Sequence, residues 1–69
     1  MRRQIVQSSS IRSIGYDVET STLEIEFHKR GTYRYFDVTE FLYRGLMRAS
    51  SKGDYFNTHI GSKHSYEEV

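Results

Sequence analysis

The sequence predicts an α+β domain of two layers, in which a three-stranded antiparallel meander packs against one helix and a short second helix follows (β-β-β-α-α). Three observations support this prediction. Residues 22–28, "TLEIEFH", alternate apolar and polar side chains, which is the pattern of a half-buried strand. Short connections separate this segment from two neighbours rich in β-branched and aromatic residues. After residue 37 the apolar residues recur at helical spacing instead.

Length and composition limit the classes of protein. The 69 residues fit one domain, 1–69, with an ordered part expected over about 8–62 and loose ends on either side. There is no cysteine, so disulfides and thiolate metal ligands are excluded. The formal charge of +1 is not that of a dedicated duplex-DNA-binding domain. Without a signal-peptide-like or membrane-spanning apolar run, a cytoplasmic location without membrane contact is expected.

The first predicted hairpin joins "IRSIGYD" to "TLEIEFH". A four-residue loop over residues 18–21 pairs Tyr16 with Leu23 and Ile14 with Ile25. Residues directly opposite one another in a sheet share a face. These four apolar side chains therefore lie together on the face that the helix is expected to cover.

The second predicted hairpin decides where two tyrosines point. A three-residue loop that ends at Gly31, with this glycine in the left-handed conformation, places Tyr33 and Tyr35 on the apolar face. Arg34 then lies on the other face, opposite Glu26. Loops of two or four residues would instead place Arg34 among the apolar residues. The favoured register leaves a polar outer face, unlike the open aromatic platform of an RRM.

The helix is predicted to begin near Thr39, with Asp37 and Glu40 as a capping box. Gly45 in its middle indicates a close approach of the helix backbone to the sheet, under an aromatic ring. The segment "ASSKGDYFNTHI" then reads as a break followed by one or two further helical turns, capped by Ser50 or Ser51. The apolar stripe of the main helix comprises Val38, Leu42, Leu46 and Ala49.

Two segments, "SSSIRSIGYDVETSTLEIEFHKRGTYRYFDV" and "GLMRASSKGDYFNTHI", resemble the KTSC domain, a module named for the carboxy-terminal region of some lysyl-tRNA synthetases. The resemblance spans roughly residues 8–64 and includes the YxY of Tyr33 and Tyr35. Val18 and Thr39 stand where members often have proline, and Ser21 where they often have glycine. The family is described as of unknown function, with RNA binding suggested from the synthetase context. The resemblance therefore implies a link to RNA by association only.

The residues themselves predict a non-catalytic module. The loops are short, no phosphate-binding glycine loop or nucleophile elbow occurs, and the three histidines lack metal-ligand spacing. No enzyme activity, cofactor or metal is therefore expected. The first hypothesis is weak RNA binding with low sequence selectivity, the RNA being a tRNA or a single strand. The residues expected to contact it are Tyr33, Arg34, Tyr35, Arg44, Arg48, Lys52, Tyr55, Asn57, His59 and Lys63.

Two alternatives stay open. The same tyrosines serve equally well to cover a core, with their hydroxyls bound locally, and the same charges serve as a solvated surface. The second functional hypothesis is a module for protein interaction or self-association, a monomer or weak homodimer, that uses an exposed sheet edge.

Overall fold

All 69 residues are described by the computed structural model, which has two layers. A five-stranded antiparallel sheet forms one layer, and helices pack on one of its faces. The strands lie side by side in chain order. The elements are β1 (Arg3–Ile5), β2 (Ile11–Asp17), β3 (Thr22–Phe27), β4 (Gly31–Tyr35), α1 (Glu40–Arg48), α2 (Lys52–Phe56), a π-helix (Asn57–Gly61) and β5 (Tyr66–Glu68).

The sheet has five strands and not the three that the sequence predicted. The two additional strands come from the terminal segments, which were expected to be loose ends outside residues 8–62. β1 pairs with β2, and β5 pairs with β4. A three-stranded sheet would leave the hydrogen-bonding edges of β2 and β4 open, and the terminal segments cover them. Three exposed residues are too few to show an alternating pattern, so periodicity could not reveal these strands.

The first hairpin confirms the predicted register. Tyr16 lies opposite Leu23 and Ile14 lies opposite Ile25, with residues 18–21 as the loop. The tyrosine also fixes the helix layer to the sheet. Its hydroxyl donates a hydrogen bond to the Val38 carbonyl, and its ring stacks on Tyr43 of α1 at 4.6 Å between centroids.

The second hairpin has the predicted faces but a different pairing. Its loop is residues 28–30, and Gly31 begins β4 with a positive φ of +94°. Tyr33 lies opposite Ile25, and Arg34 lies opposite Glu24 instead of the predicted Glu26. The observed register differs from the prediction by two residues, and side chains alternate with a period of two. The tyrosines therefore still lie on the helix-covered face, while the predicted Glu26–Arg34 pair is wrong.

α1 begins as predicted, but with another cap. The Thr39 side chain accepts a hydrogen bond from the Leu42 backbone N–H, and the helix starts at the next residue. The predicted capping box is wrong because Asp37 lies in the preceding turn with a φ of +58°. Gly45 does lie under an aromatic ring, but the ring is that of Tyr55 in α2 and not part of the sheet.

The core lies between the sheet and the helices. β2, β3 and β4 supply most of it, and α1, α2 and the π-helix each contribute at least one buried side chain. None of the helices is long and apolar enough to cross a membrane. The buried apolar residues are Ile11, Ile14, Leu23, Ile25, Phe27, Tyr35, Val38, Leu46, Phe56 and Ile60.

The helix-free face carries a row of charges across the strands. Arg3, Glu24, Arg34 and Glu67 lie in register on β1, β3, β4 and β5, with Gly15 of β2 between the first two. Arg3 Nη1 and Arg34 Nε donate to the buried Glu24 carboxylate at 2.8 and 2.9 Å. Arg3 reaches across β2 because Gly15 has no side chain to block it. The open face is therefore electrically balanced at its centre.

Candidate nucleic-acid interface

The most aromatic depression of the surface is a cleft of about 320 Å³ between β4, β5 and the π-helix. Its volume is near the lower end of the range for small-molecule sites. The cleft is lined by Arg30, Tyr33, Tyr35, Phe56, Asn57, Gly61, Ser62 and Tyr66. We call it the aromatic cleft.

Ring-to-ring contacts hold the walls of the aromatic cleft in place. Tyr35 is buried and meets Phe56 edge-on, with 5.0 Å between centroids. Tyr66 of β5 lies 5.5 Å from Tyr35 and 5.8 Å from Tyr33. Tyr66 is nevertheless 59% exposed, so much of its side chain is available to a ligand. Such pairs favour the tilted and edge-on geometries seen here, which restricts the rings before any ligand arrives.

Arg30 is the charged member of the aromatic cleft. Its guanidinium carbon lies 4.1 Å from the centroid of the Phe27 ring, a cation–π contact. It forms no ion pair with a carboxylate. Burial raises the pKa of the Tyr35 hydroxyl above its usual value, although the nearby Arg30 charge lowers it. At neutral pH the cleft therefore offers a neutral phenol and a free guanidinium.

A second depression, the serine groove, lies on the far side of Asn57. Its volume is about 290 Å³ and no hydrophobic side chain lines it. The loop before β2 and the start of α2 approach closely here, with Gly53 facing the Ser10 hydroxyl. The Ser8 hydroxyl accepts hydrogen bonds from the backbone N–H groups of Ser10 and Ile11, which shapes one wall. The lining residues are Gln7, Ser8, Ser9, Ser10, Ser50, Ser51, Lys52, Gly53, Asp54 and Asn57.

These depressions adjoin one another at one end of the sheet. Asn57 lines both the aromatic cleft and the serine groove. A third depression of about 210 Å³ shares Arg30 with the cleft and Ser9 and Ser10 with the groove, and it includes Lys29. Neither Lys29 nor Lys52 forms an ion pair. We call this continuous area the tip surface, because it surrounds the tip of the β3–β4 hairpin.

The structure separates the ten predicted contact residues into groups. Tyr33, Tyr35, Lys52 and Asn57 lie on the tip surface. Arg34 lies on the opposite face of the sheet and is held by Glu24, which removes it from the candidate site. Tyr33 and Tyr35 thus lie on one face and Arg34 on the other, as the predicted faces require, since adjacent residues of a strand point to opposite faces.

The remaining predicted residues lie on the helices and just after them. Tyr55 packs on Gly45 and its ring centroid is 4.4 Å from that of His59. Arg44 and Arg48 are one turn apart on α1, but Arg44 is bound to Glu40 by a 2.6 Å ion pair. Lys63 is exposed beyond the π-helix. Arg48, His59 and Lys63 are therefore solvent-exposed and do not line the tip surface.

Five residues of the aromatic cleft were not among the predicted contacts, and three of them, Arg30, Phe56 and Tyr66, supply its charge and two of its rings. Arg30 lies in the turn between β3 and β4, and Phe56 is a buried core residue whose ring also reaches the cleft. Tyr66 lies in a segment that was expected to be a loose end, and only its pairing opposite Tyr35 brings it to the cleft. The sequence signal for Arg30 was its position in the turn next to the YxY. For Tyr66 no local pattern exists. No group of three or more His, Cys, Asp or Glu side chains is arranged to hold a metal ion.

Fold and surface together define a small α+β domain with a ligand-sized cleft at one edge of a five-stranded meander. The family model for the KTSC domain matches residues 7–66, and the chain belongs to the KTSC domain family. This confirms the resemblance drawn from the sequence.

Similar proteins include free-standing domains and parts of larger enzymes. A crystal structure of a KTSC domain protein from Yersinia pestis superimposes with a TM-score of 0.97 at 43% identity, covering 99% of this chain and 96% of that one. An uncharacterized protein of Stutzerimonas stutzeri is 42% identical over 64 residues, which are 93% of this chain and 90% of the relative. The lysine–tRNA ligase of Nostoc punctiforme is 36% identical over 63 residues. That match covers 91% of this chain but only 11% of the ligase.

Proposed function

We propose that this domain is a non-catalytic module that binds RNA weakly and with low sequence selectivity through the tip surface. The strongest support is that the tip surface combines ligand-sized depressions with cations that have no carboxylate partner. Three adjoining depressions have aromatic and polar walls, and the cations Lys29, Arg30 and Lys52 around them have no acidic partner. Free cations attract a phosphate backbone, while aromatic rings accept bases without strong sequence preference.

The distribution of charge favours the tip surface over the rest of the molecule. Three of the four ion pairs lie on the helix-free face of the sheet, where Arg3, Arg12 and Arg34 meet Glu24 or Glu26. The other end of the sheet carries acidic residues. Asp17 ends β2, and Glu19 lies in the β2–β3 loop. A polyanion therefore meets unpaired positive charge mainly at the hairpin tip and on the helix layer.

Two relatives are the reason for choosing RNA as the proposed ligand. The lysine–tRNA ligases of Nostoc punctiforme and Trichormus variabilis carry a segment 36% identical to this chain, and tRNA is part of those enzymes' names. Because the segment accounts for 11% of each ligase, the aminoacylation activity of the whole enzymes is not transferred to this domain. What we carry over from the ligases is an accessory role in binding RNA, because such a role needs no catalytic residues in a small domain.

The proposal is tested by titrating the domain with a tRNA and with a single-stranded RNA while following backbone amide NMR shifts. Neutralising three phosphates of a single strand gives a slope of about −2 in log K against log salt. Binding would then weaken by about 20-fold between about 50 and 200 mM salt. Shifts are expected at the tip surface. If no amide responds at submillimolar RNA, or if binding is insensitive to salt, the proposal is wrong.

A matched pair of charge reversals locates the contact. Lys52→Glu changes a cation of the serine groove that has no carboxylate partner and donates only to the Ala49 carbonyl, whereas Arg12→Glu makes the same change of net charge on the helix-free face. The first variant is expected to weaken RNA binding several-fold more than the second. Equal losses would mean that only the overall charge matters and not the tip surface.

A second candidate function is binding to a protein or to another copy of the chain, and exposed apolar residues favour it. Phe41 on α1 is 81% exposed and Ile5 on β1 is 80% exposed. The edges of β2 and β4 are covered by β1 and β5, so any added strand would have to pair with one of these three-residue strands. Sedimentation at increasing concentration tests this function, and a strict monomer without a captured partner would contradict it.

A further inference from the structure

We infer that the aromatic cleft holds one unstacked base of a single-stranded RNA, with Arg30 at a phosphate next to it. This inference rests on the proposed function and adds to it the strandedness of the ligand and the position of the base. The evidence comes from the exposure of the cleft rings, from the polar groups at the cleft edge, and from the way in which Arg30 is held.

Tyr66 is the ring that a base can reach. It is 59% exposed, while Tyr35 and Phe56, which support that side of the cleft, are 6% and 4% exposed. The contact of Tyr66 with the half-buried Tyr33 fixes it from the other side. A base that enters the cleft therefore stacks on a ring that is already held, so little rotamer entropy is lost on binding. The volume of about 320 Å³ suits a single base better than an extended ligand.

The polar groups around the rings explain why selectivity stays low. Asn57 is exposed at the cleft, and its side-chain amide both donates and accepts hydrogen bonds. The Tyr35 phenol at the cleft supplies a further hydroxyl. These groups satisfy the edge of any base without demanding one donor and acceptor pattern.

Arg30 is placed for the phosphate and not for the base. One face of its guanidinium lies against Phe27, and no carboxylate competes for its N–H groups. A guanidinium stacked in this way keeps its planar edge free for the oxygens of a phosphate. A duplex offers phosphates to Arg30 but keeps its bases paired and stacked, so it cannot fill the cleft.

The test compares a single-stranded RNA with a hairpin duplex of equal length by fluorescence anisotropy at low salt. Tyr66→Ala removes the exposed wall, and Phe41→Ala is the matched control because it removes an exposed aromatic side chain from α1. We expect Tyr66→Ala to weaken single-strand binding by about fivefold or more, the effect of losing one base–aromatic stack, and to leave duplex binding within about twofold. Phe41→Ala is expected to change neither.

Arg30→Gln provides a second variant, with Arg12→Gln as its control, in case the loss of Tyr66 loosens β5. Arg30→Gln is expected to weaken the single-stranded complex several-fold while the amide shifts of β4 and β5 stay as in the unmodified protein. The inference is overturned if both cleft variants bind the single strand normally, or if Tyr66→Ala loses single-strand and duplex binding equally. Absence of binding to any RNA would instead overturn the proposed function, and the inference with it.

Discussion

Gly15→Ala is expected to destabilise the domain by displacing β1 from the sheet edge. A Cβ atom at this position would lie 2.8 Å from the Arg2 carbonyl oxygen and 2.9 Å from Cγ of Arg3. Ordinary contact begins near 3.4 Å, so β1 would have to move away by about 0.6 Å. The closer of these two atoms, the Arg2 carbonyl oxygen, belongs to the backbone of the chain and cannot rotate aside as the end of a side chain can. The shift is therefore costly. The movement also lengthens the 2.8 Å hydrogen bond from Arg3 to Glu24.

The magnitude follows from these two losses. Overpacking typically costs about 1–3 kcal/mol. The charged hydrogen bond is worth at most about 1.5–3 kcal/mol, and less here because the Arg3 side chain is 34% exposed. Replacing glycine stiffens the unfolded chain and returns about 0.4–1 kcal/mol. A net loss of about 1–2 kcal/mol remains, which lowers Tm by about 5–15 °C in a domain of this size.

Urea denaturation followed by circular dichroism measures this loss, and hydrogen exchange shows whether the β1 amides lose protection. Gly53→Ala is the control, because its Cβ would meet only the Ser10 hydroxyl, which can rotate away, and alanine favours the helix there. In an Arg3→Ala background the cost of Gly15→Ala is expected to shrink, since one of the two contacts is gone. Wild-type stability with full β1 protection in Gly15→Ala would refute this reasoning.

Three further predictions concern the core, the first helix and the pH dependence of stability. Leu46→Ala removes a fully buried side chain of α1 and is expected to cost about 2–5 kcal/mol in urea denaturation. Thr39→Ala removes the cap of α1 and is expected to cost about 1 kcal/mol by the same measurement, whereas Thr39→Ser is expected to retain most of the stability. Because burial raises the pKa of Tyr35, the unfolded chain releases this proton first as pH rises through about 10, and stability falls there; below that range Tyr35 adds no pH dependence. Denaturation between pH 8 and 11 checks the sign, and a Tyr35→Phe variant with an equally steep decline would contradict it.

The central part of the fold could be predicted because its signals are redundant. β3 alternates in polarity, and the four-residue loop before it fixed the pairing of Tyr16 with Leu23. The second hairpin shows the limit of such signals. Two three-residue loops that differ by one position along the chain preserve the faces, but they exchange Glu26 for Glu24 as the partner of Arg34. Only the geometry of the turn distinguishes them.

The terminal strands and half of the aromatic cleft could not be predicted. β1 and β5 each have three exposed residues, so no apolar period marks them, and their pairing depends on open sheet edges that only the assembled fold provides. Tyr33 and Tyr35 were predicted from the YxY motif, and Asn57 from the polar segment that follows the main helix. Tyr66 reaches the same cleft from β5, which follows all the helices in the chain. Only the tertiary structure brings it there.

The two hairpin loops of this nearly neutral domain carry opposite charges. Asp17 ends β2 and Glu19 lies in the β2–β3 loop, whereas Lys29 and Arg30 lie in the β3–β4 loop. With a formal net charge of only +1, attraction of the whole domain toward a polyanion is weak, so local charges would decide which end meets it first. Under the proposed function, the β3–β4 loop would be the first part of the domain to meet RNA. Exchanging these charges between the loops would reverse the preferred approach while leaving the isoelectric point unchanged.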